Sequence, residues 1–239
     1  MLDINVAVRG LNLTDNQKTI FDNAIAKTKS LPDVTAGTKE KFKEAISSAL
    51  NNKHATFIDL INAPLAHYEG RLNDTVMGHY EIALRWAEFD ESLNDEQRLT
   101  FRKRIGPTVT KVYRAMTSGS MRLTTLENLG ADDYARKLNY TTAQQSKIVD
   151  LIKETEVRIS ILNDKGKSST ELINKTLTNP SLGFIEIPNA MLDFYKSVTN
   201  VISIKKNYIS DVHENLNEEQ RLQLRDIIKG KLRLLTLIL

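Results

Sequence analysis

Four short segments of this sequence repeat one form: Leu13-Thr14-Asp15-Asn16-Gln17, Leu93-Asn94-Asp95-Glu96-Gln97, Tyr140-Thr141-Thr142-Ala143-Gln144 and Leu216-Asn217-Glu218-Glu219-Gln220. Each reads as a helix start. A Thr or Asn at the cap accepts a hydrogen bond from an orphan backbone N–H of the first turn, and a Gln three residues on reaches back to the N–H of the cap. Acidic residues follow the cap in three copies (Asp15, Asp95, and Glu218 with Glu219), where they suit the positive end of the helix dipole. An apolar Leu or Tyr before each cap can anchor the entering chain. The full hydrophobic staple is missing, because the residue after the Gln is Lys18, Arg98, Gln145 or Arg221.

The spacing of the four motifs organises the whole chain. The first two start 80 residues apart and the last two 76 apart, and the second pair repeats the first at an offset of 127. The same offset places Glu44-Ala45-Ile46 on Glu171-Leu172-Ile173, Leu50-Asn51-Asn52 on Leu177-Thr178-Asn179, and Phe57-Ile58-Asp59 on Phe184-Ile185-Glu186. An internal duplication is therefore expected, with one unit over 1–120 and a second over 121–239. The length difference, about one helical turn, falls after Phe57 and Phe184.

These residues resemble the Spy/CpxP family of bacterial periplasmic proteins, whose mark is a pair of Leu-Thr-x-x-Gln motifs separated by a helical hairpin. The resemblance covers most of the chain, twice. Leu13-Thr14-x-x-Gln17 matches the pattern in full; Asn stands for Thr at 94 and 217, and Tyr140 stands for Leu. Both replacements keep the capping chemistry. The resemblance implies an all-α fold in which two hairpin units form a pseudo-dimeric cradle within one chain. It also implies an ATP-independent holding chaperone or envelope-stress protein that binds partly unfolded clients. The alternative within the family is a CpxP-like regulator of a signalling protein, or a metal-responsive sensor.

The remaining sequence supports helices throughout, with no convincing alternation of period two. Ile20, Phe21, Ala24 and Ile25 stripe a first helix that Pro32 stops, and Phe42, Ala45, Ile46 and Ala49 stripe a second over about 38–50. A short piece near Phe57 to Ile61 then precedes a long helix from Pro64 to Ser92. The helix after Asn94 is expected to break at Gly106-Pro107, and Thr117-Ser118-Gly119-Ser120 is the best linker between units. In the second unit, a helix carrying Ile148, Leu151, Ile152, Ile159 and Leu162 is expected to end near Asn163 to Lys167. A long helix follows from Pro188 to Asn215, and the last motif opens a terminal helix.

Catalysis finds no support in these residues: there is no Gly-rich phosphate loop, nucleophile elbow or metalloprotease signature, and no cofactor is expected. Glu218-Glu219 and Asp132-Asp133 are adjacent pairs whose side chains diverge on a helix, so they read as solvated or dipole-facing. His54, His67, His79 and His213 lack ligand spacing, so no metal site is expected. Cysteine is absent, which rules out disulfides and leaves the compartment open. The N-terminal residues do not read as a signal peptide, so either the protein is cytoplasmic or a leader has been removed, and the family resemblance favours the periplasm. The apolar C-terminal run is too short to span a bilayer.

A formal net charge of +3 is too mild to argue for nucleic acid. Basic residues nevertheless cluster at Lys39, Lys41 and Lys43, at Arg102 and Arg104 with Lys103, and at Arg221, Arg225 and Lys229 with Lys231 and Arg233. A solvated helical face is the plain explanation for such runs. The sharper one is a positive rim beside shallow apolar surface, which would hold acidic or unfolded clients weakly, as the family resemblance implies. Trp86 and Phe89, at helical spacing, belong to the core rather than to such a surface. Because the chain already carries two copies of a unit that relatives bring together as a dimer, a monomer is expected.

Overall fold

The computed structural model describes residues 4–30, 38–121 and 128–238. Every regular element among them is an α-helix. In chain order these are α1 (Ile4–Val8), α2 (Asp15–Lys29), α3 (Thr38–Asn51), α4 (Phe57–Ser92), α5 (Asp95–Met121), α6 (Asp132–Lys137), α7 (Thr142–Thr178), α8 (Glu186–Asn215) and α9 (Glu218–Ile238).

Five expected helix boundaries fall elsewhere or are absent, because a local breaker does not by itself end a helix that packing or capping holds. Helix α4 does not begin at Pro64, because Thr56 and Asp59 cap it earlier: the Thr56 N–H and hydroxyl both donate to the Asp59 carboxylate at 2.8 Å. Phe57 and Leu60 are then buried in its first turn, which offsets the one backbone bond that Pro64 forfeits. Gly106-Pro107 does not interrupt α5, whose buried Arg102 and Tyr113 sit three turns apart on either side of it. The Thr117 to Ser120 stretch lies in the last turns of α5 rather than in a linker; residues 122–127 lie outside the described ones.

The polar run from Asp164 to Lys167 is an exposed face of α7, stapled by a Lys167–Asp164 pair at 2.9 Å, and the helix continues through Ile173 to Thr178. Gly166 within it faces the Phe194 ring, with room for a methyl group at ordinary contact distance. Pro188 does not open α8 but lies in its first turn, where its missing N–H costs nothing. The expected stop before Pro32 is met by Ser30, which caps α2 through its backbone N–H to the Ala26 carbonyl, while Pro32 itself is outside the described residues.

The chain forms two compact units, neither of which is a sequence half. Unit 1 gathers Met1–Asp33, Asn73–Arg122 and Asn163–Val198; unit 2 gathers Val34–Leu72, Leu123–Leu162 and Thr199–Leu239. Both draw on residues from either side of position 120. In unit 1 the core is aromatic: Phe21, Trp86, Phe89 and Phe101 pack with centroids 5.1 to 6.0 Å apart, and the Trp86 indole N–H donates to the Thr28 hydroxyl. The core of unit 2 is mainly aliphatic, built on Ile46, Leu60, Leu138, Ile148, Ile209, Val212, Leu224 and Ile228, with α3 against α9.

Gly70 is exposed in the middle of α4, and a methyl group there would meet nothing within 4 Å. Gly70→Ala should therefore stabilise the protein by about 1 kcal/mol, the difference in helix propensity, read from the urea midpoint.

Candidate functional site: the crossed glutamine caps

All four repeated motifs form reciprocal caps. The Gln17 backbone N–H donates to the Thr14 hydroxyl (3.3 Å), while the Thr14 N–H donates to the Gln17 side-chain oxygen (3.0 Å). The same two bonds join Asn94 to Gln97, Thr141 to Gln144 and Asn217 to Gln220, at 2.9 to 3.2 Å. Leu93 and Leu216 are buried behind their caps; Leu13 and Tyr140 are half-buried.

The glutamines do a second thing that the capping chemistry alone does not require. In unit 1, Gln17 Nε2 donates to the Ser92 carbonyl at 2.6 Å and to Gln97 Oε1 at 3.1 Å, and Gln97 Nε2 donates to the Leu11 carbonyl at 2.7 Å. In unit 2, Gln144 Nε2 donates to the Asn215 carbonyl and to Gln220 Oε1, both at 2.9 Å, and Gln220 Nε2 donates to the Leu138 carbonyl at 3.1 Å. The acceptors occupy matching places: Leu11 and Leu138 lie six residues before the first glutamine of each pair, Ser92 and Asn215 five before the second. Each glutamine thus starts one helix and satisfies a carbonyl beside the start of another, so its amide is bonded on both sides; Gln17 and Gln220 are buried, Gln97 and Gln144 half-buried.

Two further features recur at the same offsets. Asn12 and Asn139, each following the leucine whose carbonyl is used, both adopt φ of 49°, a left-handed conformation that Asn tolerates better than most residues. Arg98 and Arg221, each following the second glutamine, send Nε to a carbonyl eight residues upstream, that of Asp90 (3.2 Å) and His213 (2.9 Å). The pairs Leu11-Asn12 and Leu138-Asn139, and Gln97-Arg98 and Gln220-Arg221, are the sequence signals that point to this larger network.

The units differ one turn further on. In unit 1, Arg102 is 1% exposed and makes a two-pronged pair with Asp90, at 2.8 and 2.6 Å. Its remaining N–H groups reach the carbonyls of Thr176, Asn179 and Leu182, all within 2.9 Å, which closes the C-terminal end of α7. Five donors find five acceptors, over the face of the Phe184 ring. The matching Arg225 of unit 2 is a partly exposed neighbour of Asp226.

Arg102 is therefore not a client-facing cation; its position in the Arg102-Lys103-Arg104 run hides a core residue. Arg104 donates to the carbonyls of Ala7 (3.2 Å) and Arg9 (2.7 Å), closing α1. Lys39, Lys41 and Lys43 are exposed near the start of α3, while Arg221, Arg225 and Lys229 are half-buried on α9, the helix against which α3 packs. Exposed apolar residues accompany the basic ones: Leu222, Leu234 and Leu237 on α9, and Val157 and Ile161 on α7 beside Arg158.

No group of three or more histidine or acidic residues able to hold a metal ion occurs among the described residues. His54 is exposed. His67 packs on the Phe42 ring, and burial, then the charges of Arg71 and Lys41, hold its pKa below the usual imidazole value. His213 packs on Phe57 and is lowered by burial and Arg221, against an opposing push from Glu214. His79 is half-buried on α4.

No family model matches the chain, and neither a curated protein nor a solved structure matches it. Among the described residues, no helix is long and apolar enough to cross a membrane.

Gln17→Ala should remove a cap bond and both bonds to the second motif, and lower stability by about 1–3 kcal/mol in thermal unfolding. Gln97→Ala should cost a similar amount. The double variant should cost less than the sum, because the two amides share one network.

Proposed function

We propose that the chain is a Spy-like, ATP-independent holding chaperone of the bacterial envelope, built by tandem duplication of a Spy/CpxP-like unit into a single-chain pseudo-dimeric cradle. The observation that carries this reading is the repetition, at matching positions, of the crossed glutamine pair with its left-handed asparagine and its following arginine. A bond network of that detail arises twice most simply by copying. The interleaving of segments from both sequence halves within each compact unit fits a pair of copies that exchanged segments before or after fusion.

Client holding would rest on shallow apolar side chains beside positive charge: Val157 and Ile161 near Arg158, and Leu234 and Leu237 near Arg233. Electrostatic attraction gathers partly unfolded, acidic segments, and weak apolar contact keeps them from one another without tight binding. Clients are therefore expected to be many and loosely held.

The test is aggregation. Purified protein at one to one with several unrelated denatured clients, without nucleotide, should suppress their light scattering, and the effect should weaken as salt is raised. Unchanged aggregation of all clients would end this reading. Static scattering should meanwhile give the single-chain mass of 27.1 kDa at micromolar concentration.

A further inference from the structure

The later turns of α9 carry two apolar faces. Leu224, Ile228 and Leu232 are buried in the unit 2 core, whereas Gly230, Leu234 and Leu237, spaced four and three residues apart on the opposite side, face outward. Leu234 is 63% exposed and Leu237 81%. A methyl group added at Gly230 would meet nothing within 4 Å, so this side of the helix is a convex ridge rather than the floor of a groove.

The charge around the ridge has one sign. Residues 227–239 include Lys229, Lys231 and Arg233 and no acid. Lys229 and Arg233, one turn apart, each precede a ridge residue, and Lys231, whose ammonium is bonded to the Tyr134 hydroxyl, adds to the same field. Asp226, the acid before them, is paired with Arg225 at 3.2 Å. The start of α3 lies at the same end of unit 2: Phe42 packs on the His67 ring, and Leu65, two residues earlier on α4, lines a cavity with Leu232 and Leu235. That end therefore also carries exposed Lys39, Lys41 and Lys43, with Glu40 the acid among them.

We propose that this end of unit 2 docks on an anionic lipid surface, with Leu234 and Leu237 entering the headgroup boundary and Lys229, Arg233 and the α3 lysines meeting lipid phosphates. The inference concerns where the chain sits, and it stands or falls separately from client holding. A convex apolar ridge rimmed by cations suits an interface that parts around a helix and carries negative charge. A second copy of the chain fits less well, since two such ridges in contact would set cation against cation. A peptide segment fits less well too, because helices and strands are held in grooves or along sheet edges, and the ridge offers neither.

Co-sedimentation of the whole protein with vesicles tests this. Binding to equimolar phosphatidylglycerol and phosphatidylcholine is expected, about tenfold weaker to phosphatidylcholine alone and weaker as salt is raised. The Leu234→Gln, Leu237→Gln double variant, altered only at exposed positions, should melt as the wild type does and bind the anionic vesicles about tenfold more weakly. Should it fail to fold, Arg233→Glu alone carries the test and should weaken binding severalfold. The chain has no cysteine, so Leu237→Cys takes a single environment-sensitive dye, whose emission should shift to the blue on anionic vesicles. No binding to anionic vesicles, equal binding to neutral ones, undiminished binding by the folded variants, or an unshifted dye would overturn the proposal. So would a dimer, or capture of unfolded carboxymethylated α-lactalbumin, that the double variant abolishes while vesicles bind neither protein; the ridge would then be a protein contact.

Discussion

Arg102→Ala is expected to lower the unfolding free energy by about 3–5 kcal/mol, the cost of leaving one partner of a buried ion pair uncompensated. Asp90 would remain fully buried with only the longer Arg98 contact, 3.4 Å from Nε, in place of its two-pronged partner, and the carbonyls of Thr176, Asn179 and Leu182 would lose their donor at once. Arg102→Lys should recover little, since an ammonium cannot span the two carboxylate oxygens and three carbonyls that a planar fork reaches. Pairing Arg102→Met with Asp90→Leu separates the two roles. If the ion pair alone matters, the double variant returns to wild-type stability; the three orphaned carbonyls predict that it stays at least about 2 kcal/mol below. Urea unfolding decides, and an Arg102→Ala variant within 1 kcal/mol of wild type would show that the buried network is not what closes α7.

The second large effect concerns pH. In the folded protein Lys205 has a pKa of about 8, against 10.5 for an unburied lysine, and desolvation is the cause. Below pH 8 the group is charged in both states, and the folded state carries the full penalty. Between pH 8 and 10.5 the unfolded chain binds more protons than the folded one, so stability rises with pH, by up to about 3 kcal/mol across the window. Tyr140 works the other way. Burial, then the charge of Tyr134, pushes its pKa up to about 12, so its phenol ionises first in the unfolded chain and stability falls above pH 10. The clean comparison therefore lies between about pH 7.5 and 9.5. There, wild-type stability should climb while Lys205→Met stays flat, and at pH 7 the variant should be the more stable. Parallel profiles for the two proteins would count against a buried, strained ammonium at this position.

What was legible in the sequence was what is local. A cap and its Gln lie three residues apart, so Thr14, Asn94, Thr141 and Asn217 could be read directly, and the helical stripes through Phe21 and Ile46 needed no long-range knowledge. The crossed bonds were out of reach because each joins residues 76 or 80 apart, and no local propensity records such a meeting. Breakers misled for the complementary reason: Pro64, Pro107 and Gly166 weaken a helix locally, and only burial on both sides reveals that the helix survives.

Arg102 was hidden by its company. Its neighbours Lys103 and Arg104 are exposed, yet it sits beside buried Phe101, and its partner Asp90 follows Phe89 within an apolar stripe. A carboxylate in such a stripe is a signal that a cation must enter the core to meet it. Lys205 left the same kind of trace, a lysine between Ile202 and Ile209 on the buried face of α8.

The crossed glutamine pair also bears on the order in which the chain folds. A cap can form as soon as its own helix does, but the bond from Gln17 to Gln97 requires an 80-residue loop to close, and that from Gln144 to Gln220 a 76-residue loop. Closure entropy grows only with the logarithm of length, so the extra turn in the longer loop costs about 0.05 kcal/mol, and the two units can differ by that turn almost without consequence. The amide contacts themselves come late, once the helices have already met. They act as latches, and loosening them should hasten unfolding while leaving the rate of folding nearly unchanged.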